Sequence, residues 1–185
     1  MPGAGSEAVR LLAAALLVLA PLYAGAEIEK HAYVTESGIK FFWWPRLKPP
    51  SGWVHEEEQS VEMQSNVLVP KGKTFANAET VMYARAFYEP DKKERGTLQE
   101  LIDGDVKQYK EHIPKVVVKE LDTPLVLASG KRLRTFSFVN GHEAFEQVSY
   151  GAEGKYWVEF VISSKSAKGL EKTLPAYRAM MAKYR

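Results

Sequence analysis

The hydrophobic pattern divides the chain near residue 26. Residues 11–19 are apolar without interruption, Arg10 stands before them, and Pro21 and then Ala24-Gly25-Ala26 follow. A basic residue, a short apolar run and a small-x-small tripeptide make a secretory signal peptide, with cleavage expected after Ala26. The run is shorter than the roughly 20 residues that span a bilayer. An uncleaved anchor is therefore the alternative that the pattern disfavours, and residues 27–185 are expected to form one mature domain with no integral membrane segment.

Downstream, the apolar period switches between about two and about 3.6. Strands are predicted at 39–44, at 61–69 (closed by Pro70-Lys71-Gly72) and at 80–88. Residues 46–52 hold Pro49 and Pro50 and must be loop, as must the charged stretch 90–96. Thr97 and Glu100 are spaced as a capping box that opens a helix. Leu98, Leu101, Ile102, Val106, Tyr109 and Ile113 share one face of it, and Pro114 ends it. A strand is predicted at 116–121.

Two hairpins follow, 125–128 with 131–139 through Ser129-Gly130, and 143–150 with 155–163 through residues 151–154. A last helix carries Leu170, Leu174, Tyr177, Met181 and Tyr184 on one stripe, with Pro175 marking either a kink or its start. Strands, helix, strands, helix, with hairpins dominant, predict an α+β domain: an antiparallel sheet packed by two main helices.

Composition narrows the function classes. The chain is 45% hydrophobic and 26% charged with a net charge of +2, a globular balance that lacks the concentrated basic face nucleic acid requires. There is no Cys, so disulfides, a lipid-anchored cysteine and thiol catalysis are excluded together. The expected compartment is the periplasm or the medium outside the cell.

Candidate chemistry is sparse. Lys71-Gly72-Lys73-Thr74 has Val67 where a phosphate loop needs its first Gly, and reads as a polar turn. His31, His55, His112 and His142 show no metal-ligand spacing, and His142-Glu143 reads as polar surface beside the turn Asn140-Gly141. Asp103-Gly104-Asp105 is placed on the solvated side of the helix and lacks the other ligands of a calcium loop. The acidic run 56–58 and the basic residues Lys131, Arg132 and Arg134 are expected on solvated faces. A Gly-x-Ser-x-Gly elbow is absent, and the expectation is a protein that is not an enzyme and uses no cofactor or metal.

Two features point to binding. Phe41, Phe42, Trp43, Trp44 and Trp53 crowd into 13 residues. Alternation along a strand sends Trp43 and Trp44 to opposite faces, so both cannot enter one core, and one is covered by the proline-rich loop or the terminal helix, left exposed, or used for a ligand or partner. The second feature is in the last hairpin. With its turn centred on Ala152-Glu153, Glu146 falls opposite Glu159, and Val148 opposite Trp157. Facing like charges are destabilising. They imply that both are well solvated or that a cation sits between them, either an arginine (Arg85, Arg132 or Arg134) or a bound metal or cationic ligand. The candidate binding residues are therefore Trp43, Trp44, Trp53, Glu146, Trp157 and Glu159.

Several motifs resemble the PsbP-like fold: Pro50 to Trp53 after a first strand, a strand ending Val67-Leu68-Val69-Pro70, and the helix opening Thr97-Leu98. Gly130-Lys131 before Thr135-Phe136-Ser137-Phe138, the aromatic strand 156–162 and the terminal helix complete the likeness over residues 38–185. The resemblance implies an α/β/α sandwich and a non-catalytic accessory or binding module with a protein partner, and it supplies no catalytic residues.

Overall fold

The computed structural model describes residues 27–35, 38–88, 96–113, 115–141 and 144–185. The expected signal segment, the loop 90–95, Pro114 and the pair His142-Glu143 lie outside the described residues. In chain order the elements are Ile28–Thr35 (β1), Gly38–Pro45 (β2), Trp53–His55 (β3), Glu57–Met63 (α1), Asn66–Pro70 (β4), Thr80–Tyr88 (β5) and Leu98–His112 (α2). Val117–Glu120 (β6), Leu125–Val126 (β7), Arg132–Asn140 (β8), Ala144–Glu153 (β9), Tyr156–Ser164 (β10) and Ala167–Met181 (α3) follow.

Every pairing is antiparallel. The main path runs β1-β2-β5-β10-β9-β8-β6, with β3 and β4 added beside β5 and β7 beside β8. The central strand β10 sorts the molecule into layers. Val158, Phe160 and Ile162 point to one face, where they pack with Tyr177, Met180 and Met181 of α3. Val161 points to the other, with Val148, Tyr150, Phe136, Phe138 and Ile102 of α2. Helices thus cover both faces of the sheet, which is the sandwich the resemblance implies and one of the two arrangements the pattern allows.

The helices form where their ends are satisfied. Thr97 accepts from the Glu100 N–H at 3.2 Å, and Glu100 returns the bond to the Thr97 N–H at 2.6 Å, closing the expected capping box. Ser166 caps α3 through the Gly169 N–H at 3.0 Å, and the helix continues through Pro175 rather than starting there.

The expected strand 61–69 is corrected: 61–63 finish α1, and only Asn66–Pro70 is strand. This two-turn helix buries Ser60 alone, so it shows no apolar stripe in the sequence. The acidic run begins it, with Glu57 and Glu58 exposed in its first turn, where the helix dipole favours negative charge. Residues 50–53 form a turn closed by Trp53 N–H donating to Pro50 O at 3.0 Å, and Gly52 supplies the positive φ of 82°.

The last hairpin is also corrected. Its turn is Gly154-Lys155, because Gly154 accepts the left-handed φ of 59° that a two-residue turn requires. Glu159 therefore stands opposite Tyr150, and Glu146 opposite Ser163, so the two glutamates do not face each other. The displacement is even, which keeps each residue on its expected face. That face is not a sheet surface, however, since α2 covers it.

Candidate functional site

Beneath α2 lies a polar network that periodicity alone conceals. Arg85 is directly across from Glu159 in the β5–β10 register, and its Nε donates to Glu159 Oε2 at 2.5 Å. Its Nη2 lies 3.5 Å from Asp105 Oδ1. Asp105 also accepts a hydrogen bond from Tyr150 Oη. The expectation that Asp105 sits on the solvated side of the helix is corrected: it is buried, one turn from Ile102, while Asp103 stays outside and pairs with Gln99. A second branch joins Tyr109 Oη and Ser163 Oγ to the two oxygens of Glu146, at 2.5 and 2.6 Å.

Of the three arginines foreseen, Arg85 is the one on Glu159. Arg134 instead makes two 2.7 Å bonds to Glu120 at the sheet edge.

The electrostatics follow from burial. Glu159 is 1% exposed, and burial pushes its carboxyl up, to about 7, against the pull of Arg85 and with the push of Asp105. Burial alone would lower Arg85; Glu159 more than offsets it and holds the guanidinium above its ordinary value. Burial first raises both phenols, followed by Asp105 for Tyr150 and by Tyr83 and then Glu146 for Tyr109, so both stay protonated near neutral pH. Hydroxyls held this way donate hydrogen bonds and are poor nucleophiles. Clefts of about 320 and 300 Å³ open on two sides of Arg85. Among the described residues no three metal-ligating side chains converge.

The tryptophans divide as alternation requires. Trp44 is 3% exposed and packs among Phe42, His31 (3.8 Å between ring centroids) and His55 (5.8 Å). Trp43 points to the α3 side and stacks on Tyr88 at 4.9 Å, with Tyr156 next in line at 5.3 Å from Tyr88. Trp53 packs, half-buried, against the α3-side core, and Trp157 is buried on the α2 side opposite Phe87. The six candidates thus occupy separate places: Glu146 and Glu159 in the network, Trp43 on an open face, and the others in packing positions. Sequence reading missed Asp105, Tyr109 and Tyr150, and it left β1 unassigned.

The histidines beside Trp44 give a pH dependence. Burial lowers His31; it also lowers His55, where Glu57 pulls up and His31 pushes down. The unfolded chain therefore protonates first. The associated stability is complete above about pH 6.5 and is lost as pH falls below it. Glu159 acts in the opposite sense: its raised folded pKa supports the fold at low pH and withdraws that support as pH rises from about 4.5 to about 7. The histidine part is read as a difference. His31→Gln with His55→Gln should flatten the loss of Tm between about pH 7 and pH 5 relative to the unsubstituted chain. Parallel curves would show that these imidazoles do not carry it.

Among solved structures, the chain is similar to the solution structure of cyanobacterial PsbP (CyanoP) from Synechocystis, with 11% identity, 89% of this chain and 95% of that chain covered, and a TM-score of 0.41. No family model matches the chain, and no curated protein matches it. A likeness of that degree carries nothing about the chemistry of the site.

Proposed function

We propose that this chain is an exported, non-catalytic protein-binding module whose contact surface is the α3-side face of the β1–β2 ribbon. The observation that carries the reading is a row of exposed apolar side chains on paired positions of that ribbon. Val34 faces Ile39, Ala32 faces Phe41 and Lys30 faces Trp43. Val34, Ile39 and Phe41 are 83%, 64% and 52% exposed, and the row runs on through Trp43 to Tyr88.

Single exposed apolar residues are ordinary, but a contiguous row costs free energy in water unless a partner covers it. Lys30 lies over the Phe41 ring at 3.8 Å and so shields one ring rather than the row. At its outer edge β1 pairs with no other strand among the described residues, leaving backbone groups to which a partner's strand can add. Rigid aromatics beside an open edge are what an interface needs for anchors.

The polar network supports the non-catalytic part, since its acids are tied to Arg85 or to protonated hydroxyls rather than to an activated nucleophile. The same bonds disfavour a cationic ligand on Glu159, because Arg85 already fills that place. Export rests on the signal pattern, and N-terminal sequencing of the mature protein should begin at or near Glu27.

The surface is tested by Ile39→Ser with Phe41→Ser. Both side chains are exposed, so Tm should move little, while binding to the partner recovered with the unsubstituted chain should fall by tenfold or more, about 1.4 kcal/mol. Undiminished binding by a folded double variant would overturn the assignment.

A further inference from the structure

A second surface lies where the proline loop crosses the end of α3. A groove of about 460 Å³ runs between residues 46–51 and the last helix, a volume in the range of small-molecule sites. Its floor is apolar: Leu47, Met180 and Tyr184 are all buried. Ala176, Ala179 and Met180 fall on one stripe of α3, with Lys183 just past its end, so the small alanines leave the space open. Pro49 and Pro50 hold the facing wall, their φ angles fixed by their rings.

The rim carries Arg46, Lys48 and Lys183 against a single acid, Glu27. Arg46 is ion-paired with Glu29. Lys48 and Lys183 are exposed, and neither side-chain ammonium has an ion-pair or hydrogen-bond partner among the described residues. An apolar floor beneath two free ammonium groups selects against cations and against wholly polar anions. It matches a molecule with an aliphatic chain and one negative head.

We propose that this groove binds an amphipathic carboxylate of the medium-chain fatty-acid class, with its chain along Leu47, Ala179 and Met180 and its carboxylate at the lysine rim. Burial of the methylenes supplies most of the attraction, and the lysines choose the sign of the head group.

The test uses the whole mature protein with ¹³C-methyl-labelled methionine and decanoate kept below its micellar concentration. The Met180 methyl should shift saturably while Met63, packed in a different cluster beside Val67 and Val81, stays still. Decyltrimethylammonium, with the same chain length and the opposite charge, should bind at least about tenfold more weakly, as should decanoate to Lys48→Glu with Lys183→Glu. Ala179→Phe, which fills the groove from an exposed position, should abolish the shift with Tm unchanged. A still Met180, equal binding of the two head groups, or tighter binding of an acidic Leu/Glu peptide than of decanoate would overturn the proposal.

Discussion

Replacing Arg85 by Met is expected to destabilise the fold by about 3 kcal/mol, the low end for breaking a buried pair because the Arg85 side chain is itself 37% exposed, and still a large part of the ~5–15 kcal/mol that holds a domain of this kind. The loss does not measure the worth of the ion pair. Arg85 offsets two buried acids, Glu159 at 2.5 Å and Asp105 at 3.5 Å, and removing it leaves both without their cation. Glu159 would answer by staying protonated, so the variant should lose less stability at about pH 5 than at pH 8. Arg85→Met combined with Glu159→Leu should recover much of the loss, because the buried member of the pair is then no longer an acid left without its cation. Urea unfolding of the three proteins at two pH values checks this. A single variant within 1 kcal/mol of the unsubstituted chain would mean that water reaches Glu159.

Phe160→Ala is expected to cost about 3–5 kcal/mol as well, by a different route. Phe160 is fully buried in the central strand, between Ala84 on one neighbour and Ser149 on the other. Its ring meets Tyr184 edge-on at 5.0 Å, tying the end of the chain to the sheet. With small or polar side chains on both flanking strands, nothing beside it can collapse into the cavity. Phe160→Leu should be tolerated far better, within about 1.5 kcal/mol. Leu101→Ala on α2 should cost less than Phe160→Ala, because Leu101 is only half-buried and Ile102 takes the core position beside it. Equal losses at Phe160 and Leu101 would contradict the layer assignment.

What could be read in advance was whatever repeats with a period or carries local chemistry. The capping box at Thr97, the bounds of β5 and the terminal helix stripe are of that kind, and together they yield an antiparallel sheet with its helices. Three parts escaped for separate physical reasons. The ribbon strand β1 mixes charged, aromatic and small residues because both of its faces meet partly open surroundings, which blurs the alternation. Asp105 occupies a core position on α2 because Arg85 and Tyr150 wait beneath it, and no helical period discloses a partner from another strand. The hairpin register turned on whether Gly154 lay inside the turn, and four residues of candidate turn left that open. The candidate binding residues divide in the same way: alternation separates Trp43 from Trp44, but only the assembled sheet shows that half-buried Trp43 lies between the exposed Phe41 and Tyr88.

The central claim is that this row is a protein interface. The most direct measurement places a photo-crosslinking amino acid at position 39 of the full chain, expressed and exported in its own cell. Position 107 on the outer face of α2 serves as the control, since Lys107 is likewise exposed. The account predicts one dominant protein adduct from position 39, absent from position 107 and lost when Phe41→Ser is added. The same adduct from both positions, or one from position 107 alone, would contradict it.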